Sequence, residues 1–258
     1  MPQQQTSLAH RDYYDNININ DFISYYDSFR TPIFKQNWKQ ISKWRSYGKA
    51  LDIGSSYGGF LKVAPKGWNV FGLDSSAQIV KLGQAAGLDI AVDLEDALAN
   101  KREHYDLITM WNVLEHFPNP KKTLINVYNH LNPGGIVGIA VPNRNGIFNK
   151  LAYIIYWISG KRITYPLYVL FQVDRAFPHL YHFSLSDIIR LLESTGYKVL
   201  YKGSQPIIDI KRLNLRMRIE KKYLFLNVLI SPLIFITYFL SWLFRRPDEV
   251  IIYAYKAS

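Results

Sequence analysis

The stretch LDIGSSYGGF at residues 51–60, with Asp74 closing the next apolar run NVFGLD, constrains the fold more than any other part of the chain. Leu51 to Gly54 reads as a short buried strand. The turn Gly54-Ser-Ser-Tyr-Gly58-Gly59 reads as backbone able to pass close to a ligand before a helix opens near Phe60. Asp74 lies 22 positions after Asp52, at a strand's carboxyl end, where an acid can accept hydrogen bonds from a ribose diol. Loop and acid together point to a nucleotide-like ligand; a glycine-rich loop alone would be weak evidence.

The following segments fall into register with that start. Strand-like runs recur at Ala50 to Gly54, Asn69 to Asp74, Asp89 to Val92, Asp106 to Asn112 and Gly135 to Val141, with helix-like stretches such as Ser76 to Ala86 between them. Such alternation predicts an α/β fold with a parallel, doubly wound sheet. The segments LDIGSSYGGF, FGLDSS, AVDLED, YDLITMWNVLEHFPNP and LNPGGIVGIAVPN, with HFSLSDIIRLLESTGYKVL at 182–200, cover about half of the chain. On these segments the chain resembles the class I S-adenosylmethionine-dependent methyltransferases, in particular the small-molecule subgroup that includes the ubiquinone-biosynthesis O-methyltransferases. The resemblance implies a Rossmann-like, seven-stranded, mostly parallel sheet with an antiparallel last strand, for which Glu249 to Lys256 (EVIIYAYK) is the match. One departure is local: the family's loop reads acid-x-Gly-x-Gly-x-Gly, whereas Asp52, Gly54, Ser56 and Gly58 put serine at the middle glycine.

The resemblance also implies S-adenosyl-L-methionine as cofactor and assigns its contacts. Asp52 and the backbone of Gly54, Ser55, Ser56 and Gly58 are expected at the methionine moiety, Asp74 at the ribose, and Asp93 with Leu94 at the adenine edge, with Ser75 and Asn112 as second choices. Each acid has a plainer reading: Asp74 as a helix cap beside Ser75 and Ser76, and Asp93 as a solvated turn.

Composition bounds the rest. At 258 residues and 48% hydrophobic, the chain can bury a large core. It has no cysteine, which excludes disulfides, thiolate metal sites and cysteine nucleophiles. The start MPQQQTSLAHRDYYD has no apolar run behind a basic segment, so no secretory signal is read and a cytoplasmic location is expected. Six histidines show no metal-ligand spacing, and no catalytic metal is expected.

Charge is uneven along the chain. Residues 1–142 hold 14 Lys or Arg against 13 Asp or Glu, whereas 143–182 hold five against one and 198–258 hold 11 against four. The basic excess coincides with two apolar insertions in the methyltransferase-like part, 48–258. The first, 143–181, matches a position that commonly covers the substrate in the family. The second, 204–248, contains the 22 uncharged residues Tyr223 to Phe244, preceded by KRLNLRMRIEKK and followed by Arg245 and Arg246. By length that run could span a bilayer. If the strands on either side, Lys198 to Gly203 and Glu249 to Lys256, belong to one sheet, as the resemblance implies, a single crossing is excluded. A hairpin broken at Ser231-Pro232, or a segment lying in the interface of an anionic membrane, remains, and the plain alternative is packing as core or against a homodimer partner. The cluster Lys211, Arg212, Arg216, Arg218, Lys221 and Lys222 could neutralise nucleic-acid phosphates, but no nucleic-acid motif accompanies it, and nucleic acid is not the expected partner.

Methyl transfer from a sulfonium already has a good leaving group, so the enzyme chiefly aligns the reactants. For a hydroxyl acceptor a base near neutral pKa helps. His116, in WNVLEHF after the fourth strand, is the first candidate base, with a positioning role as the alternative; His182, in PHLYHFS, is the second. Ser184 and Ser186 read as helix caps and Glu115 as a structural carboxylate at a turn. Residues 1–47 carry nine aromatics from Tyr13 to Trp44, and the spacing from Phe22 to Phe29 suits an amphipathic helix forming a cap or lid. The expected activity is O-methylation of a hydrophobic or lipid-linked small molecule at the cytoplasmic membrane face. The alternatives are a soluble methyltransferase whose insertions form a dimer interface, and a non-catalytic adenosylmethionine-binding or scaffolding protein.

Overall fold

The computed structural model describes residues 18–92, 103–173, 177–205, 236, 239–240 and 248–257. In chain order these form α1 (Ile19–Ile41), β1 (Gly48–Ile53), α2 (Gly59–Lys62), β2 (Trp68–Asp74), α3 (Ala77–Ala85), β3 (Ile90–Val92) and β4 (Tyr105–Trp111). A 3-10 turn at Leu114–His116 follows, then α4 (Pro120–Asn129), β5 (Leu131–Pro142), α5 (Ile147–Ile158), α6 (Tyr165–Phe171), α7 (Leu185–Glu193), β6 (Tyr197–Gln205) and β7 (Glu249–Lys256).

The strands make one seven-stranded sheet in the order β3-β2-β1-β4-β5-β7-β6. Strands β1 to β5 pair in parallel, and β7 enters antiparallel between β5 and β6. The expected Rossmann-like architecture is therefore present, including its antiparallel last strand. Central strands buried on both faces must be apolar almost throughout. In β4, Leu107, Ile108, Thr109 and Met110 are all inaccessible, with Thr109 the polar exception. Strand order reverses between β1 and β4, and in open α/β sheets ligands settle at the carboxyl edge beside such a switch.

Helix α1 starts where the Asn18 side chain accepts the backbone N–H groups of Asn20 and Asp21 (3.1 and 3.2 Å). Its buried residues Phe22, Tyr25, Phe29, Ile33, Asn37, Trp38 and Ile41 recur every three or four positions, so the stripe expected over 22–29 runs the whole helix. The upper half packs on Tyr57 and Ile79, next to the glycine turn. The lower half is fixed by Trp38, which stacks on Phe60 at 4.5 Å and donates its indole N–H to the Phe60 carbonyl at 3.0 Å. Helix α7 carries the cap expected of Ser184, a reciprocal box with Asp187, while Ser186 lies 2.9 Å from the Ser184 hydroxyl.

Among the described residues no helix is long and apolar enough to cross a membrane. The run Tyr223 to Phe244, apart from Ile236, Phe239 and Leu240, and the basic cluster Lys211 to Lys222 lie outside the described residues.

Candidate functional site

At the carboxyl edge of β1 the chain turns through three left-handed residues, Gly54 (φ 73), Ser56 (φ 52) and Gly58 (φ 87). A side chain at Gly54 would run into Val113, and one at Gly58 into Leu88 and Ile90. Both glycines are therefore required by the fold itself as well as by their φ. Ser56 adopts the same handedness with a side chain. Its hydroxyl oxygen is buried without a hydrogen-bond partner among the described residues.

The turn is held by Asp74. One carboxylate oxygen accepts the Ser56 N–H (2.8 Å) and the other the Ser76 N–H (2.9 Å), so the acid predicted for the ribose also fixes the loop. Burial raises its pKa, and the backbone N–H groups of Ser76, Ser56 and Ser75 oppose the rise. Asp74 also meets its plainer reading in part, accepting the Ser76 N–H at the start of α3, whose N-cap residue is Ser76. Asp52, 3% exposed, accepts the Thr109 hydroxyl at 2.6 Å. Its pKa is pushed up to about 8, chiefly by burial, with Thr109 lowering it and Asp74 raising it further.

This donor set fits the cofactor implied by the resemblance. Once it gives up its proton, the buried Asp52 carboxyl can pair with a cationic amine such as the methionine ammonium, and the Ser56 hydroxyl supplies an uncommitted polar group in the same turn. Not every predicted contact points there. The Ser55 side chain packs inward over Gly72, which has no room for a Cβ beneath it, so only the Ser55 backbone faces the turn. Asn112, left-handed at φ 59, sends its amide to Glu249 (2.7 Å), towards β7. Asp93 and Leu94 lie outside the described residues.

Beyond β4 the 3-10 turn presents Glu115 and His116. Nδ1 of His116 lies 3.1 Å from the Pro178 carbonyl. A carbonyl only accepts, so Nδ1 carries the proton and Nε2 is the basic nitrogen. The segment bearing Pro178 is pinned because Leu180 and Tyr181 both donate their N–H groups to the Glu115 carbonyl (2.9 and 3.2 Å). Nδ1 of His182 lies 2.8 Å from the Asn149 amide oxygen, and its ring stacks on Phe171 at 4.3 Å. Burial lowers its pKa, and contact with the Leu170 backbone opposes this. His182 is thus a neutral imidazole clasped between α5 and α6, a positioning geometry. His179 bridges the two, its ring 4.9 Å from His116 and 5.6 Å from His182.

Three features escaped the sequence reading. Glu115 is no ordinary turn carboxylate: it is inaccessible, neither oxygen has a hydrogen-bond partner among the described residues, and burial pushes its pKa up to about 8. The ligand atoms of Glu115, His116 and His179 lie within 4.8 Å of one another, a carboxylate and two imidazoles that could hold a divalent metal. Histidine spacing hid this, because His179 is 63 positions past His116. The third feature is a buried polar knot on β7. One oxygen of inaccessible Glu249 accepts Asn112 (2.7 Å) and Gln205 (2.9 Å) and lies 3.6 Å from Nη1 of Arg30 on α1. The other Glu249 oxygen, Nη1 of Arg30 and the Asn112 amide oxygen have no hydrogen-bond partner among the described residues. The acid heading EVIIYAYK was the signal available, since an otherwise apolar strand opened on a charge.

A family model described as a methyltransferase domain matches residues 26–202. The ubiquinone biosynthesis O-methyltransferase of Pseudomonas entomophila is 34% identical over 124 residues, 45% of this chain and 51% of the relative, so the chain spans about half the length of such curated relatives. Among solved structures, an S-adenosylmethionine-dependent methyltransferase of Thermotoga maritima superposes with TM-score 0.59 at 14% identity, covering 92% of this chain and 95% of that one. The magnesium protoporphyrin IX methyltransferase of Synechocystis, with S-adenosylhomocysteine bound, gives TM-score 0.52 at 13% identity over 86% of this chain and 83% of its own.

Proposed function

The chain belongs to the methyltransferase-domain family, the class I S-adenosylmethionine-dependent methyltransferases, and we propose that it methylates an oxygen of a hydrophobic or lipid-linked small molecule at the cytoplasmic membrane face. S-adenosylmethionine, when bound, supplies an electrophilic methyl group whose leaving group needs no protonation. Asp52, Ser56 and Asp74 would hold it, the first against the ammonium and the last at the ribose.

The observation that carries the oxygen reading is the imidazole of His116. Its proton is committed to the Pro178 carbonyl, and the basic Nε2 can take the proton of a hydroxyl as that oxygen becomes a nucleophile. The same chemistry is in the name of the Pseudomonas relative, an O-methyltransferase. An apolar acceptor is supported by the aromatic and aliphatic helices α5 and α6, which carry the contacts of His182.

Calorimetric titration of the full chain with S-adenosylmethionine and S-adenosylhomocysteine tests the cofactor; micromolar binding of both is expected, and absence of both refutes the proposal. With a prenylated phenol as acceptor, His116→Gln is expected to lower kcat at least 100-fold, a magnitude in the range for general-base catalysis, while S-adenosylhomocysteine affinity is unchanged. Equal rates for wild type and variant across pH would remove the base.

A further inference from the structure

We infer that the outer face of α5 docks on the surface of an anionic lipid bilayer. The helix is inside out for a water-facing element. Its buried residues are Asn149 and Ala152, and Asn149 is held by hydrogen bonds to the Asn143 carbonyl and His182. Outward, Lys150, Tyr153, Ile154, Trp157 and Ile158 follow one another at steps of three and one, on one helical face, and Lys161 lies just past the helix end. Ile154, Trp157 and Ile158 are 51%, 62% and 82% exposed. An exposed apolar stripe of this kind marks an interaction surface.

Charge selects the occupant. Cations sit at both ends of the stripe, Lys150 at one and Lys161 with Arg162 at the other, and no acidic residue occurs from Asn143 to Val173. Nζ of Lys161 lies over the Trp157 ring at 4.7 Å, an aromatic and cation pairing suited to the headgroup boundary. A second copy of the face would bring like charges together, whereas phosphate headgroups complement them. With 12 residues, α5 is about 18 Å long, short of the roughly 30 Å hydrocarbon core, so it lies in the interface and does not span it.

The inference deepens the methyl-transfer reading and rests on it only for what docking delivers. Asn149 and Phe171 hold His182, and the His179 N–H donates to the Phe171 carbonyl (2.9 Å). Helices α5 and α6 therefore roof the histidine group, and a lipid-borne acceptor would enter from the docked face.

The test is co-sedimentation of the full chain with vesicles of phosphatidylglycerol or of phosphatidylcholine, with light scattering for mass and S-adenosylhomocysteine calorimetry on each variant. The wild type is expected to partition into phosphatidylglycerol. Lys161→Gln with Arg162→Gln should lower that partitioning about 25-fold, about fivefold per cation, and Trp157→Ser with Ile158→Ser at least tenfold, both with unchanged S-adenosylhomocysteine affinity. Three outcomes overturn the inference: no vesicle binding by a monomer, a dimer that Trp157→Ser with Ile158→Ser separates, or vesicle binding that neither double variant weakens. Loss of S-adenosylhomocysteine binding in the wild type would instead refute methyl transfer and leave the docking result readable.

Discussion

Replacing Asp52 by Asn is expected to make the protein more stable and a poorer binder of its cofactor. The folded pKa of Asp52 is about 8 against an ordinary 3.8. Below pH 3.8 the carboxyl is protonated in both states and folding carries no penalty. As pH rises towards 8, folding must take up a proton, and stability falls by about 1.4 kcal/mol per pH unit. At pH 7 the accumulated penalty is about 4 kcal/mol, and above pH 8 about 6 kcal/mol. The asparagine keeps an oxygen for the Thr109 hydroxyl but buries an amide N–H₂, which costs about 1–3 kcal/mol. The net gain is therefore about 1–3 kcal/mol at pH 7 and close to zero at pH 5. Urea unfolding of both proteins from pH 5 to 8 measures this, and the slope of their difference is the decisive quantity because other titrations largely cancel in it. A difference that stays flat across that range would refute the claim that Asp52 is protonated on folding. Above pH 8, where Asp52 is ionised, the same variant should bind S-adenosylhomocysteine at least about tenfold more weakly, since about 1.4 kcal/mol is a modest value for a lost charge-assisted hydrogen bond.

Arg30→Met removes the cation beside inaccessible Glu249 and is expected to cost about 3–5 kcal/mol, most of it recovered by adding Glu249→Gln; a single variant as stable as wild type in urea would show that the pair is dispensable. Ser56→Gly relieves a left-handed side chain (φ 52), a gain of about 1–2 kcal/mol against about 0.5–1 kcal/mol of glycine entropy. A net rise of about 0.5–1 kcal/mol in unfolding free energy is expected, and a fall would mean that the serine side chain holds the turn.

Elements with a strong local pattern were legible in the sequence. Strands β1, β2, β4 and β5 were expected from apolar runs, and α7 from Ser184 and Ser186 read as caps. The glycine turn and Asp74 were legible because a left-handed turn restricts residue choice and because the strand ends on its acid. What could not be read depends on distance. Glu249 reaches Asn112 across 137 positions, and His179 meets His116 only because two backbone N–H groups tie its segment to the Glu115 carbonyl. No periodicity encodes such contacts. Asn112 shows the limit at the site itself: it follows β4 at the sheet's carboxyl edge, yet its amide is given to Glu249 on β7.

The place of β7 has a consequence for how the molecule assembles. It lies between β5 and β6, although 43 residues separate it from β6 in sequence. Until β7 inserts, β6 has no neighbour in the sheet and β5 keeps an open edge, a template for pairing with other chains. Such distant pairing is slow because loop closure precedes any gain from contacts. The strand that closes the edge also delivers Glu249 to Asn112 and Arg30, so that buried polar cluster forms only once β7 has paired.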